Sequence, residues 1–590
     1  MDPSELLLLP RPHRLEQPGG EGAARDATPD AQLDRSLGAE TFTLAIGGGR
    51  ITIRFGDTNA RRYARETLRQ LRRQFPETLP ALRIEDAPDF PVRGLMLDVS
   101  RDRVPTRETL EHLVHRMARL RLNHLELYTE HTFAYTGHEA VWRDASPLTA
   151  DDVEWLDALC DQHGIELVAN QNTFGHMARW LQHDAYRARA EAPDGFRTKF
   201  GMTLPPGVLA PTEDNAAFAL GLCRELLACH SSRRIHIGCD ETFELGQGQS
   251  AAEVEREGRG RVYLDHLLRL TRPLLADGHE VLFWGDILRH HPELVSALPK
   301  EGAIACAWHY EAPQTTVPLP DGLLELLADF GIDRDSFRGF SAHVDAFADS
   351  GLPFWVCPGT SSWNSLLGRL ANARGNLLDA AETGLARGAA GYLITDWGDN
   401  GHMQPPSVSF APVAYGASLA WSLDANRELA LAEALDAFVF EDEAAVLGAS
   451  VETLGNLYTA TGKHALNGSP LFTDLVTGGL LGSFGEADPA RLRRTVSTLD
   501  ATIDALAGAR PATPDGPVIV RELQQAARLA RHGAHRIARA AGLPGPSDAE
   551  LRRDLTDAIA EQRACWLLRS RPGGLDDSVA RLEATLAGYG

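Results

Sequence analysis

Through the middle of the chain, short apolar runs alternate with longer segments of helical periodicity, and this alternation predicts strands joined by crossover helices. Eight strand candidates stand out: "GLMLDVS" from residue 94, "HLELYT" from 124, "IELVANQ" from 165, "RIHIGCD" from 234, "EVLFWGD" from 280, "AIACAWH" from 303, "PFWVCPG" from 353 and "GYLITDW" from 391. Apolar strands separated by amphipathic helices are the mark of a parallel sheet. Eight such repeats predict a (β/α)8 barrel with enlarged loops, a fold whose chemistry sits at the C-terminal ends of its strands.

The flanks carry different patterns. "TFTLAIGGGRITIRFG" alternates like a hairpin around Gly47 to Gly49, and "NARRYARETLRQLRRQF" has helical spacing, which predicts a small α/β unit of strand, turn, strand and helix. The basic run in that helix reads as a solvated face. The first 40 residues, with "EQPGGEGAARDATPDAQ", are rich in Gly, Pro, Ala and charge and are expected to be irregular. Beyond about residue 425 the pattern is helical to the end, broken at "ARPATPDGP" and "GLPGPSD". The division expected is an irregular segment over 1–40, a small α/β domain over 41–90, a (β/α)8 TIM barrel over 91–424 and a helical domain over 425–590. The fold class is α/β. The C-terminal helices are expected either to form a homodimer interface or to buttress the barrel.

Composition narrows the partners. A chain of 590 residues, 43% hydrophobic and 24% charged, is long enough for two or three domains. Its formal net charge of -23 argues against nucleic acid and against an anionic membrane surface, both of which need clustered Lys and Arg. A neutral or small polar substrate fits better. No apolar run approaches the roughly 20 residues of a membrane helix, and "SELLLLP" is too short and too acidic in its flanks for a secretory signal, so a cytoplasmic location is expected. The seven cysteines lack CxxC spacing, which suggests neither a disulfide framework nor a zinc cluster. Cys239 reads as a small apolar filler beneath a strand end.

Polar residues follow the strand ends where the barrel rule puts chemistry: Arg101, Glu130, His176, Asp240 with Glu241, Asp286, Trp308, Trp363 and Asp399. The sharpest signal is "RRIHIGCDETFELGQG", which sets two adjacent carboxylates at the end of a strand. His236 and Asp240 stand four apart, but no further ligand set accompanies them, so no metal is expected. Glycosidic cleavage needs one carboxylic acid to protonate the leaving oxygen and a second group to stabilise an oxocarbenium-like centre. In ordinary retaining enzymes the two carboxyls stand about 5 Å apart across the sugar, which residues adjacent in sequence do not easily span. The pair suits a different arrangement, in which the Glu protonates the glycosidic oxygen while the Asp orients a 2-acetamide whose own oxygen attacks the anomeric carbon. Trp284, Trp308, Trp363 and Trp397, near the later strand ends, offer flat faces for a pyranose ring.

With these residues in view, the chain resembles glycoside hydrolase family 20, the β-N-acetylhexosaminidases, over roughly residues 40–421. "PVRGLMLDVSR" is similar to the family's first barrel strand, "LTADDVEWLDALCDQHGIELVANQNTFGH" to its second helix and third strand, and "IHIGCDE" to its HxGxDE signature. "TLAIGGGRITIRFG" with "ARETLRQL" resembles the small domain that precedes the barrel. The resemblance implies an exo-acting, retaining enzyme that releases terminal β-linked GlcNAc or GalNAc from oligosaccharides or glycoconjugates through an oxazolinium intermediate, without a cofactor. It implies Glu241 as acid and base, Asp240 as the acetamide's partner, and His176 behind the acid, paired with Glu130. Arg101 would bind the 3- and 4-hydroxyls, Trp397 would stack under the ring and Asp399 would bind outer hydroxyls. The sequence departs from the family where "YTEHTF" has one acid instead of two Asp, "TFGH" stands for "TPGH", and Asp399 replaces Glu. The Tyr expected after the seventh strand is replaced by "GTSSWNS", with Trp363 and Asn364. Two alternatives stay open: a barrel glycosidase for a differently substituted sugar, and a non-catalytic carbohydrate-binding protein.

Overall fold

All eight predicted strands take their places in one closed parallel barrel: β1 (Val92–Asp98), β2 (His124–Tyr128), β3 (Glu166–Asn170), β4 (Arg234–His236), β5 (Glu280–Trp284), β6 (Ala303–Trp308), β7 (Phe354–Cys357) and β8 (Gly391–Asp396). The computed structural model describes residues 6–101, 103–197, 203–313, 337–476 and 482–589. β8 closes the barrel on β1 with an unbroken register from Gly391 opposite Val92 to Asp396 opposite Leu97. Every strand runs the same way, so all eight C-terminal ends open on one face, and the loops that leave them share one mouth.

The barrel interior is filled by Met96, Leu282, Ile304, Cys306, Trp355, Cys357 and Leu393, in contact with Tyr128, Trp284 and Trp397 nearer the mouth. One buried polar cluster breaks this core: Glu126 on β2 takes hydrogen bonds from Asn170 at 2.8 Å and pairs with His124 at 2.7 Å. A buried carboxylate survives only when paired or hydrogen-bonded, and Glu126 is both. The seven cysteines are free and buried, Cys239 among them.

The small N-terminal unit is larger than the pattern predicts. Strands Phe42–Gly47 and Arg50–Phe55 form the expected hairpin, with Gly48 and Gly49 at φ 55° and 75° in its two-residue turn. Positive φ at both central residues is the geometry that matches the twist of the flanking strands, and glycine adopts it without steric cost. The segment expected to be irregular, however, adds two strands to this sheet and a third, Ala23–Ala24, that pairs with Thr78–Leu79. Arg14–Glu16 pairs with Leu82–Asp86, and Asp30–Leu33 lies parallel to Arg50–Phe55 at the opposite edge, giving a five-stranded sheet. Helix Thr58–Gln74 buries Tyr63, Ala64, Leu68 and Leu71 beneath that sheet, together with Leu6 and Leu8 of the N-terminal segment. Trp421, at the end of the last barrel helix, joins this cluster and donates to Asp86 at 2.8 Å, tying the two units together.

Four long helices, Pro489–Leu506, Gly516–Ala540, Asp548–Leu567 and Leu575–Ala587, dominate the C-terminal part; the first two of their three breaks fall in the two Pro/Gly-rich stretches, and the third falls at residues 568–574. They buttress the barrel through a strap at residues 569–571. The Thr106 amide donates to the Arg569 carbonyl at 2.9 Å, the Arg571 amide to the Val104 carbonyl at 2.8 Å, and Arg103 donates to Ser570 Oγ at 2.9 Å. The Arg569 guanidinium is buried between Asp515 at 2.7 Å and Glu522 at 3.0 Å. The same helices hold the loop after β8, where Gln562 donates to the Met403 carbonyl at 3.0 Å and Ser578 to that of Gly401. The two loops braced in this way carry Arg101 and Asp399. Among the described residues, no helix is long and apolar enough to cross a membrane.

Candidate active site

The turn after β4 sets the two carboxylates. β4 ends at His236, and Gly238, Cys239 and Glu241 then take left-handed conformations at φ 68°, 74° and 49°. For Cys and Glu this costs strain that the surroundings must over-determine. A Cβ on Gly238 would stand 1.9 Å from Asn172 Oδ1, and one on Gly175 would stand 2.2 Å from the Asp240 carbonyl oxygen. Glycine at both positions lets the loop after β3 pack against the turn. His236 faces inward, with its Nδ1 accepting the Gly238 amide at 3.1 Å and its ring 4.2 Å from that of Trp284. The histidine of the HxGxDE signature therefore shapes the turn.

The two acids differ in exposure. The Glu241 side chain is 38% exposed and reaches the opening, whereas that of Asp240 is 7% exposed and sits at the floor. His176, at φ 56° in the loop after β3, joins them: its Nε2 stands 3.3 Å from both Asp240 Oδ2 and Glu241 Oε2. Burial disfavours the imidazolium, yet the Asp240 charge and the hydrogen bonds that His176 donates to Asp240 and Glu241 hold its pKa well above the ordinary value. Burial likewise works against the Asp240 carboxylate, and the charged His176 beside it holds its pKa below the usual range. Asp240 is thus an anion with one oxygen engaged. Its other oxygen, Oδ1, is buried and has no hydrogen-bond partner among the described residues.

Arg101 is fixed by Asp98, the last residue of β1. The Asp98 carboxylate accepts the Ser100 and Arg101 amides at 2.9 Å each, Arg101 Nη1 at 3.2 Å and the Gly398 amide at 3.0 Å, so one buried acid braces the first and last loops of the mouth. The guanidinium lies over the Tyr128 ring at 4.9 Å and the Trp397 ring at 5.2 Å. Glu130 is buried, 3.4 Å from Arg101 Nε and 3.8 Å from His176 Nδ1, and takes a hydrogen bond from Tyr128 Oη at 3.0 Å. The expected Glu130–His176 pair is therefore the longer of its two ionic contacts, and Glu130 serves Arg101 first. Burial raises the Glu130 pKa, as it does for half-buried Asp399, whose carboxyl interacts with Arg101 across the mouth.

The aromatic residues form two layers. Trp308 and Tyr310 stack at 5.1 Å, and Trp397 donates through Nε1 to Tyr310 Oη at 2.9 Å. Trp308 and Tyr310 are half-buried, and Trp397 is 7% exposed. Trp284 and Trp363, expected to face a sugar, are 0% and 1% exposed, which sets them behind the aromatic faces that reach the opening. Trp363 meets Tyr310 edge-on at 5.1 Å and donates to Asn467 at 3.0 Å. Tyr310 is the residue that sequence reasoning missed. Its signal was the "HYE" that follows the β6 segment, whereas the tyrosine was sought after β7.

The loop beyond Glu241 has an equally specific cause for its composition. The fully buried Glu191 accepts the amides of Gly246 at 3.2 Å, Gly248 at 3.0 Å and Ser250 at 3.1 Å, and the Ser250 hydroxyl at 2.7 Å. The Gly-rich stretch "ELGQGQS" lets these main-chain donors converge on one carboxylate.

Comparison with known proteins agrees with this geometry. A family model described as glycosyl hydrolase family 20, catalytic domain, matches residues 90–319, and one described as glycosyl hydrolase family 20, domain 2, matches residues 8–87. The chain is similar to hexosaminidase D of Bos taurus, 26% identical over 170 residues, covering 28% of this chain and 46% of that protein. It is also similar to hexosaminidase D of Homo sapiens, 27% identical over 177 residues, covering 29% and 35%. The matched region thus spans less than half the length of either relative. In fold it resembles a Flavobacterium johnsoniae chitobiase, with a TM-score of 0.59 at 14% identity over 99% of this chain and 100% of that one.

Proposed function

The chain belongs to glycosyl hydrolase family 20, and on that footing we propose that it is an exo-acting, retaining β-N-acetylhexosaminidase that removes terminal GlcNAc or GalNAc with the help of the substrate's own acetamide. The observation that carries this reading is the buried Oδ1 of an ionised Asp240, which has no hydrogen-bond partner among the described residues. A buried acceptor without a donor is costly, and an acetamide N–H is the donor that a 2-acetamido sugar would bring.

In this reading Asp240 Oδ1 accepts the acetamide N–H and turns the carbonyl oxygen toward the anomeric carbon. That oxygen attacks, the glycosidic bond breaks, and Glu241 gives its proton to the departing oxygen. The cyclic oxazolinium ion carries a positive charge that the Asp240 anion stabilises. Glu241 then takes a proton from water, which attacks the anomeric carbon from the side the aglycone left, so the configuration is retained. His176 holds the two carboxylates at their common nitrogen. Arg101, whose planar fork suits vicinal hydroxyls, and Asp399 would bind the far edge of the ring. The Arg101 guanidinium lies over the Trp397 ring at 5.2 Å, so the two share one side of the site.

Tyr310 would take the part of the tyrosine that "GTSSWNS" lacks. Its Oη accepts from Trp397 and also meets the Thr395 hydroxyl, and in this reading its phenolic proton turns to the acetamide oxygen when substrate binds. This supports the 2-acetamido reading over a sugar with another 2-substituent. Tyr310→Phe is expected to lower kcat by on the order of 10² with little change in KM, the typical effect of losing one donor to a developing charge. Unchanged kcat would remove Tyr310 from the site.

The activity itself is tested with p-nitrophenyl glycosides. Release from the 2-acetamido-β-glucoside or β-galactoside is expected, and the ratio of the two reports the configuration preferred. Inertness toward both would sink the proposed function.

A further inference from the structure

A third carboxyl group stands beside the acid pair, and the mechanism above does not use it. Asp286 lies two residues beyond β5, and its Oδ2 accepts the main-chain amide of Glu241 at 3.1 Å. We propose that Asp286 is a positioning residue for the proton donor, acting on Glu241 through its backbone; the inference rests on the reading of Glu241 as the acid.

The need for such a residue comes from the turn. Gly238, Cys239 and Glu241 are all left-handed, and only the glycine is at ease there. The turn is held from outside at several points. The Trp284 amide donates to the Gly238 carbonyl at 2.9 Å, Tyr263 Oη to the Cys239 carbonyl at 2.9 Å, and Arg259 to the Thr242 carbonyl at 2.6 Å. All of these secure the residues around Glu241. Asp286 secures Glu241 itself, at the atom that fixes its φ and so the direction in which its side chain leaves the backbone. A half-exposed side chain on a strained residue would otherwise relax, and a small displacement of a reacting group is expensive in rate.

The charge state of Asp286 suits a clamp. Burial pushes its carboxyl up to about 7, with the neighbouring Asp240 and Glu241 charges adding to the shift and Arg289 opposing it. Near neutral pH much of it is uncharged, so it takes the Glu241 amide without bringing a full third negative charge against Asp240. Its Oδ1 is buried and without a hydrogen-bond partner among the described residues, which also favours the neutral form.

A neutral acceptor of the same shape should therefore replace it. Asp286→Asn is expected to keep kcat within a few-fold of wild type, because the amide oxygen can accept the Glu241 N–H. Asp286→Leu and Asp286→Ala, which cannot, should lose about 10- to 100-fold in kcat on the phenyl glycoside, whose poor leaving group needs the proton. On the 2,4-dinitrophenyl glycoside the loss in kcat/KM, which reports formation of the intermediate alone, should be much smaller than on the phenyl glycoside. Equal losses on the two leaving groups would mean general damage to the fold and would overturn the inference. So would an Asn protein as impaired as the Ala protein, a comparison that stands even if the Leu protein fails to fold. Glu241→Gln run in parallel separates the two levels. If it shows no leaving-group dependence, the acid assignment fails. If it does and Asp286→Ala does not, only the role of Asp286 fails.

Discussion

Asp240→Asn is expected to lose roughly 10² to 10³ in kcat, the range for removing a group aimed at charge that develops in the transition state. The substitution keeps the shape of the side chain and leaves Glu241 unchanged, but it removes the anion. In the ground state Asp240 offers one oxygen to His176 at 3.3 Å, and Oδ1 has no partner among the described residues. The acetamide N–H becomes more acidic, and its hydrogen bond stronger, as the oxazolinium charge forms. The interaction lost is strongest in the transition state, so KM should change far less than kcat. An asparagine enzyme with a raised KM and an intact kcat would show that Asp240 binds substrate without assisting the reaction.

Glu241→Gln should lose the most on substrates with poor leaving groups. Removing a general acid costs about 10² to 10⁴ in rate, and glutamine is nearly isosteric but cannot donate the proton. An aryl glycoside whose leaving group needs little protonation should retain much of its formation rate, while release of the intermediate, which needs Glu241 as a base, should slow. The exposure of the Glu241 side chain at the opening gives it access to both the glycosidic oxygen and the incoming water. Equal losses across a series of leaving groups would reassign the acid.

The barrel was legible because each strand is a compact apolar run bounded by turns, and the eight segments quoted from the sequence coincide with its eight strands. The N-terminal strands were not. "RLE" and "DAQL" are short, polar and largely exposed, and they are strands only because neighbouring strands supply their hydrogen bonds. No local pattern can carry that information, since pairing across a sheet is not encoded in the paired segment alone.

In the site, Asp240, Glu241, His176 and Arg101 converge because each lies in a loop that leaves a strand on the same face. Depth was the harder quantity. Trp284 and Trp363 follow the same rule, yet lie behind the wall, because a position at a strand end does not say which layer a side chain enters. Tyr310 shows the complementary limit. Neighbouring loops of a barrel reach the same volume, and the sequence does not say which of them will fill it. Asp286 was legible only as a polar residue past a strand end, and Asp98 only as the close of a strand. Asp98 pairs with Arg101 at 3.2 Å, and both acids also take main-chain amides, contacts that depend on the loop conformations.

The central claim is that the substrate supplies its own nucleophile and that Asp240 directs it. Its most direct test is the inhibition constant of a thiazoline analogue of the cyclised intermediate, measured on the wild type and on Asp240→Asn beside turnover of the matching 2-hydroxy glycoside. The account predicts tight binding to the wild type, binding weakened by at least about tenfold in the asparagine protein through loss of the charge pairing, and negligible hydrolysis of the 2-hydroxy sugar. A thiazoline that fails to inhibit, together with a 2-hydroxy glycoside turned over as fast as the 2-acetamido one, would contradict it.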